Sequence, residues 1–148
     1  QGLETLPLRM REHSRNAQQV AEWLRDRPEV ARVIYPSLHE DPEQRRRAET
    51  YLKGGCGGLV GFELKAGVEA GRAFIDGLEM HYHVANIGDA RSLAIHPATT
   101  THSQLSPDEL LATGATPSYV RLSVGIEHID DILADLDKGL AAAAKAAR

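Results

Sequence analysis

The residue types best suited to chemistry are concentrated between His83 and Gly125. They read H-V-A-N-I-G-D-A-R-S-L-A-I-H-P-A-T-T-T-H-S-Q-L, then a helical interval, then Y-V-R-L-S-V-G. Two strand-like runs, Ser92 to His96 and Tyr119 to Val124, bracket a loop rich in amide, hydroxyl and imidazole groups: Asn86, Ser92, His96, Thr99, Thr100, Thr101, His102 and Ser103. Such groups bind anions and orient polar ligands. Arg121 stands in the middle of the second run. A planar, permanently charged guanidinium held on a strand grips a carboxylate or phosphate in a fixed orientation. Residue type alone leaves a second reading open, an edge-strand arginine with a solvated head.

Other chemistries have weaker support. His81 and His83 form an H-x-H pair, with His96 and His102 further on, but no Cys or Glu is spaced to complete a standard zinc set. The reading is therefore no metal, with a site on one strand face, where i and i+2 fall together, as the alternative. Cys56 has no second cysteine to pair with and lies in Gly54-Gly55-Cys56-Gly57-Gly58; without an adjacent His or acid it reads as a small loop residue. The same glycines lack the Lys-Ser/Thr ending of a phosphate loop. The four lysines, Lys53, Lys65, Lys138 and Lys145, stand in no Ser-x-Thr-Lys context.

The rest of the chain must position these groups. At 148 residues it suits one domain with its own core, without metal or disulfide. With 17 basic and 21 acidic residues there is no long-range field to recruit nucleic acid or an acidic membrane. Arg45-Arg46-Arg47, set among glutamates, reads as a solvated helix face. No apolar run reaches the ~20 residues that span a bilayer, and no signal peptide is visible. The unpaired cysteine fits a reducing cytoplasm.

A helix is predicted from Thr5 to Asp26, with Ala17, Val20, Ala21 and Leu24 as its buried stripe. Its first half, with Arg9, Arg11, Glu12, His13, Arg15 and Asn16, is polar, which suits a connector against another domain or subunit as well as it suits solvent. Strands are predicted at Val30 to Tyr35, Leu59 to Leu64, Met80 to Val84, Ser92 to His96 and Tyr119 to Val124. Helices are predicted at Glu43 to Tyr51, Gly67 to Leu78, Ser106 to Gly114 and Ile129 to Ala144, with Lys145 and Arg148 in the last tail. Alternation turns Val120, Leu122 and Val124 to the core and Tyr119, Arg121 and Ser123 to the other side. The fold class is α+β, a small, mostly antiparallel sheet with helices on one face.

Gly88-Asp89, Ser92-Leu93, His96-Pro97-Ala98, Thr101-His102 and Val120-Arg121-Leu122-Ser123-Val124-Gly125-Ile126-Glu127, in that order, resemble the C-terminal domain of the pyridoxal-phosphate enzymes of cysteine and methionine metabolism. The likeness covers nearly the whole chain, from Gly2-Leu3-Glu4-Thr5-Leu6-Pro7-Leu8-Arg9-Met10 onward. It implies the small domain of the aspartate-aminotransferase type I fold, with residues 1–26 as a connector helix and 27–148 as a substrate-carboxylate-binding domain. It also implies pyridoxal 5'-phosphate held by a larger domain preceding Gln1, which carries the Schiff-base lysine, and homotetramers of the whole protein.

The same resemblance makes Arg121, Thr101 and Asn86 the clamp for the substrate's α-carboxylate, with Asn86 where many relatives carry Ser. No catalytic, cofactor-binding or metal-binding residue is expected in the chain itself, which alone would be inactive. Asn-x-Gly-Asp-x-x-Ser-Leu with His-Pro-Ala-x-Thr-Thr-His looks more like the O-acetylhomoserine sulfhydrylases than the cystathionine γ-synthases, γ-lyases and methionine γ-lyases of the family. That implies O-acetyl-L-homoserine and sulfide or a thiol as substrates. Readings of another class are a non-catalytic amino-acid-binding module and an oligomerisation domain.

Overall fold

Alternation in the strands and a 3.6-residue period in the helices leave one apolar layer between a five-stranded sheet and three helices. The computed structural model describes residues 1–147; Arg148, predicted in the tail of the last helix, lies outside the described residues. The elements are α1 (Leu6–Arg25), β1 (Val30–Ile34), α2 (Pro42–Tyr51), β2 (Leu59–Leu64), α3 (Gly67–Asp76), β3 (Tyr82–His83), β4 (Leu93–Ile95), α4 (Pro107–Ala112), β5 (Tyr119–Ser123) and α5 (Ile129–Ala146). The strand order is β1-β2-β5-β4-β3. All pairings are antiparallel except β3 with β4. Helices α1, α3 and α5 cover one face, as the α+β reading expects.

The core between these layers joins Val60, Phe62 and Leu64 of β2 to Val120 and Leu122 of β5. Ala17, Val20, Ala21 and Leu24 of α1, Phe74 and Ile75 of α3, and Ile132, Leu136, Leu140 and Ala143 of α5 close it. Small residues set the helix spacing: a Cβ on Gly139 would come within 2.8 Å of the Phe74 ring, so α5 and α3 approach where no side chain intervenes. At the far end Ser106 and Glu109 form a reciprocal capping box that starts α4.

Three expectations change. First, the buried stripe of α1 extends back through Asn16 and His13, which are buried although polar. Asn16 Nδ2 donates to the carbonyls of Gly125 (3.2 Å) and Glu127 (2.9 Å), and His13 Nδ1 lies 2.6 Å from the Val124 carbonyl. These two therefore hold the exit of β5 rather than facing a partner domain or solvent. Second, the predicted strand Met80 to Val84 shrinks to Tyr82–His83. The amides of Glu79 and His81 donate instead to the Asp135 carboxylate, at 2.8 and 3.0 Å, and are lost to the sheet. Third, His81 and His83 part company: His81 is buried with Nδ1 2.7 Å from Asp135 Oδ2, while His83 is exposed. The one-face metal alternative has no geometric basis, and among the described residues no three His, Cys, Asp or Glu side chains are gathered to hold an ion.

Candidate carboxylate-binding site

Arg121 lies on β5, the middle strand of the sheet, with Gly61 of β2 opposite it on one side and Ile95 of β4 on the other. The edge-strand alternative does not hold. Its half-buried side chain leaves the core face, where Val120, Leu122 and Val124 are fully buried. Arg121 Nη2 donates to the Ala85 carbonyl at 2.7 Å and, more weakly, to the Asn86 carbonyl at 3.4 Å. Its Nε is buried with no partner among the described residues. Among the described residues no carboxylate stands within ion-pair distance of it, whereas Arg32, Arg46, Arg47 and Arg91 each have one. A guanidinium carries five N–H donors. Here one edge is fixed by main-chain carbonyls and donors remain for an anion.

The segment bearing Asn86 is latched to the exit of β5. Gly88, at φ 75°, turns the chain and its amide donates to Ser123 Oγ at 3.0 Å. The Ile126 amide donates to the Ala90 carbonyl at 2.9 Å. Glu127 accepts from the amide (2.6 Å) and hydroxyl (2.9 Å) of Ser92, and Ser92 Oγ accepts from the Gly125 amide at 2.9 Å. Ser123, Gly125 and Glu127 thus all serve the position of Asn86, and Ser123 is buried under that segment instead of facing a ligand.

Space at the latch is fully used. A Cβ on Gly125 would come within 2.5 Å of both the Ala90 carbonyl oxygen and the Ser92 amide nitrogen, and nearer still to the Glu127 carboxylate. Gly125→Ala is therefore expected to destabilise the fold by about 1–3 kcal/mol, the range of overpacking. Chemical denaturation reads this as a lower midpoint with an unchanged m-value.

The threonine turn is also knitted to itself. His96 is buried; its Nδ1 lies 2.9 Å from Thr99 Oγ1 and its Nε2 2.8 Å from the Pro117 carbonyl. Burial pushes the imidazole pKa down, opposed by the Pro117 carbonyl. Thr100 Oγ1 donates to the His96 carbonyl at 2.8 Å and Ser103 Oγ to the Thr100 carbonyl at 2.9 Å. Ser92, His96, Thr99, Thr100 and Ser103, expected as ligand groups, thus each have a side-chain hydrogen bond within the fold. Thr101 is exposed and bonded to His102 Nδ1 at 2.8 Å, with no hydrogen bond to Arg121. Asn86 is exposed and, among the described residues, its side chain is unbonded. The fold brings Asn86 to Arg121 through its main chain and leaves Thr101 on a separate turn.

Arg121 also forms part of the wall of a cleft of about 540 Å³ between the sheet and α2, with Ile34, Leu59, Gly61, Tyr119 and Tyr51. Gly61 makes room for the Tyr119 ring, which a Cβ there would meet at 2.7 Å. Burial pushes the Tyr119 phenol up, with the Arg121 charge acting the other way. Among the described residues no lysine lines the cleft. Lys138 pairs with Glu79 at 2.5 Å, and Lys53, Lys65 and Lys145 are exposed elsewhere. The described residues offer the cleft a guanidinium, Arg121, able to face an anion, and do not fit a pyridoxal group bound through a lysine.

The chain is 54% identical over 140 residues to an O-acetyl-L-homoserine sulfhydrylase of Leptospira meyeri, covering 95% of this chain and 32% of the relative. It is 50% identical to O-acetyl-L-homoserine sulfhydrylase 1 of Thermus thermophilus, over 95% of this chain and 33% of that one. To an L-methionine gamma-lyase of Pseudomonas putida it is 43% identical, over 97% of this chain and 35% of the relative. The chain thus spans about a third of the length of the curated relatives it matches. Among solved structures, a putative O-acetylhomoserine (thiol)-lyase of Campylobacter jejuni superposes with a TM-score of 0.86 at 42% identity, over 95% of this chain and 33% of that one. That protein carries a pyridoxyl-modified lysine. Residues 1–141 match the model of the Cys/Met metabolism PLP-dependent enzymes, and the chain belongs to that family.

Proposed function

We propose that this chain is the substrate-carboxylate-binding C-terminal part of a pyridoxal-phosphate-dependent O-acetylhomoserine sulfhydrylase, acting in the cytoplasm as a homotetramer. The observation that carries the reading is Arg121: central in the sheet, fixed at one edge by the carbonyls of Ala85 and Asn86, and, among the described residues, without a carboxylate of its own. The domain assignment, residues 1–26 as connector and 27–148 as binding domain, belongs to the same proposal.

In this reading the free N–H groups of Arg121 take the substrate's α-carboxylate, with Asn86 and Thr101 completing the clamp as the ligand settles between their segments. Pyridoxal phosphate, held by the remaining two-thirds of the polypeptide, supplies the electron sink. The net reaction exchanges the C–O bond to acetate at Cγ for a C–S bond to sulfide or a thiol, giving homocysteine or methionine. The contribution of this chain is orientation: a fixed carboxylate fixes which bond at Cα is aligned to break.

Higher identity to proteins named as sulfhydrylases than to the one named as a γ-lyase supports replacement over elimination. The test is product analysis on the whole enzyme. Sulfide-dependent acetate release from O-acetyl-L-homoserine with homocysteine as product supports the proposal; an α-keto acid and ammonia formed without sulfide would make it a lyase. The 148-residue chain alone is expected to release no acetate.

A further inference from the structure

We propose that His96 is a positioning residue of the carboxylate clamp, pinning the turn that bears Thr101 to the strand that bears Arg121. The inference rests on the clamp reading above and adds a residue that contacts neither substrate nor cofactor.

His96 is the first residue after β4, next to Ile95, which pairs directly with Arg121. Its two ring nitrogens join different segments. The Pro117 carbonyl can only accept, so Nε2 carries the proton and donates to it at 2.8 Å. Nδ1 is then an acceptor and takes the Thr99 hydroxyl at 2.9 Å. Pro117 lies in the turn that enters β5, two residues before Tyr119.

The main chain extends this hold around Thr101. The His96 carbonyl accepts from Thr100 Oγ1 at 2.8 Å and from the Thr99 amide at 3.2 Å, while the Pro97 carbonyl accepts from the Thr100 amide (3.0 Å) and the His102 amide (2.9 Å). Both neighbours of Thr101 are therefore tied to His96 and Pro97. The ring lies against Gly71 of α3, where a Cβ would come within 2.6 Å of its Cδ2 and closer to Nε2. A neutral imidazole is required for both ring bonds as drawn. The charged or titratable neighbours are Arg72 and His83, which oppose protonation, and Glu69, which favours it. Loss of the ring bonds leaves Arg121 and the main-chain bonds of the turn in place but removes the tie between the Thr101 turn and the entry to β5.

The test is steady-state kinetics of the whole cofactor-loaded enzyme with Thr99→Val, His96→Phe and His96→Gln, beside Arg121→Ala. Thr99→Val and His96→Phe are expected to raise KM for O-acetylhomoserine about three- to tenfold, the size of one or two neutral hydrogen bonds. The kcat stays within about threefold and the cofactor's visible absorption is unchanged. Gln, able to donate to the Pro117 carbonyl, is expected to recover part of the loss. An unchanged KM in folded Thr99→Val overturns the proposal even if thermal stability falls, and that variant decides alone if His96→Phe does not fold. If Arg121→Ala raises KM while Thr99→Val does not, only the role of His96 is lost. If Arg121→Ala leaves KM unchanged, the clamp reading fails and this inference with it.

Discussion

Replacing Arg121 with alanine in the whole enzyme is expected to lower kcat/KM for the amino-acid substrate by roughly thirty- to a thousandfold. That corresponds to about 2–4 kcal/mol, the loss on truncating one partner of a hydrogen-bonded charge pair. The loss has two sources. The carboxylate loses its guanidinium partner, and the Ala85 carbonyl loses the 2.7 Å bond that fixes the approach to Asn86. Arg121→Lys separates them, because a lysine keeps the charge but offers no planar fork. It is expected to recover a minority of the loss, with KM still raised. The fold should tolerate both changes, since the apolar core lies on the other face of β5. An unaltered circular dichroism spectrum alongside the kinetic defect checks that.

The second large effect falls far from the clamp. Asp135→Ala is expected to cost about 3–5 kcal/mol of stability, the range for removing one partner of a buried, hydrogen-bonded pair. Asp135 is 3% exposed on α5 and accepts from the amides of Glu79 and His81 and faces His81 Nδ1. Without it, three donors at the entrance to β3 lose their partner, and His81 Nε2 already has none among the described residues.

The acid response follows from the same contacts. Burial pushes the Asp135 carboxyl up, but the hydrogen bonds from the His81 ring and the Glu79 and His81 amides outweigh it and hold the group below the usual carboxylate range. A depressed folded value means this stability is present above the unfolded carboxyl value of about 3.9 and is lost as pH falls through the folded one. Asp135→Asn should therefore flatten the acid limb of the stability curve. Urea unfolding across that limb measures it, and an equally steep limb in the variant would assign acid lability to other groups.

Much of the fold is legible because its signals are periodic. The α1 stripe at Ala17, Val20, Ala21 and Leu24, the α5 stripe, and the alternation that faces Arg121 away from Val120 and Leu122 all follow from spacing. What hides is polar burial. His13 and Asn16 continue the α1 stripe at helical intervals, but a polar side chain in that register reads as surface unless its acceptors, the carbonyls after β5, are known. Asp135 hides for the same reason, and with it the shortening of β3, because the amides it captures are 54 and 56 residues away.

The site shows the matching limit. Sequence marks Ser92, His96, Thr99, Thr100 and Ser103 as groups able to bind an anion, and only the folded geometry reveals that their bonds are internal. Glu127 and Gly125 stand in the recognisable run after Arg121, yet their work on the Asn86 segment emerges only when Ser92 is seen between them. Arg121 itself is legible as a position, while its central placement depends on a strand order that joins β5 to both β2 and β4.

The measurement that tests the central claim most directly compares O-acetyl-L-homoserine with its α-carboxamide in wild-type and Arg121→Ala whole enzyme. If Arg121 holds the carboxylate, the wild type prefers the acid by roughly thirtyfold or more, on the scale of a charge-assisted pair, and the variant's preference collapses to within about threefold. A preference that survives in Arg121→Ala would place carboxylate recognition on another residue and contradict the account.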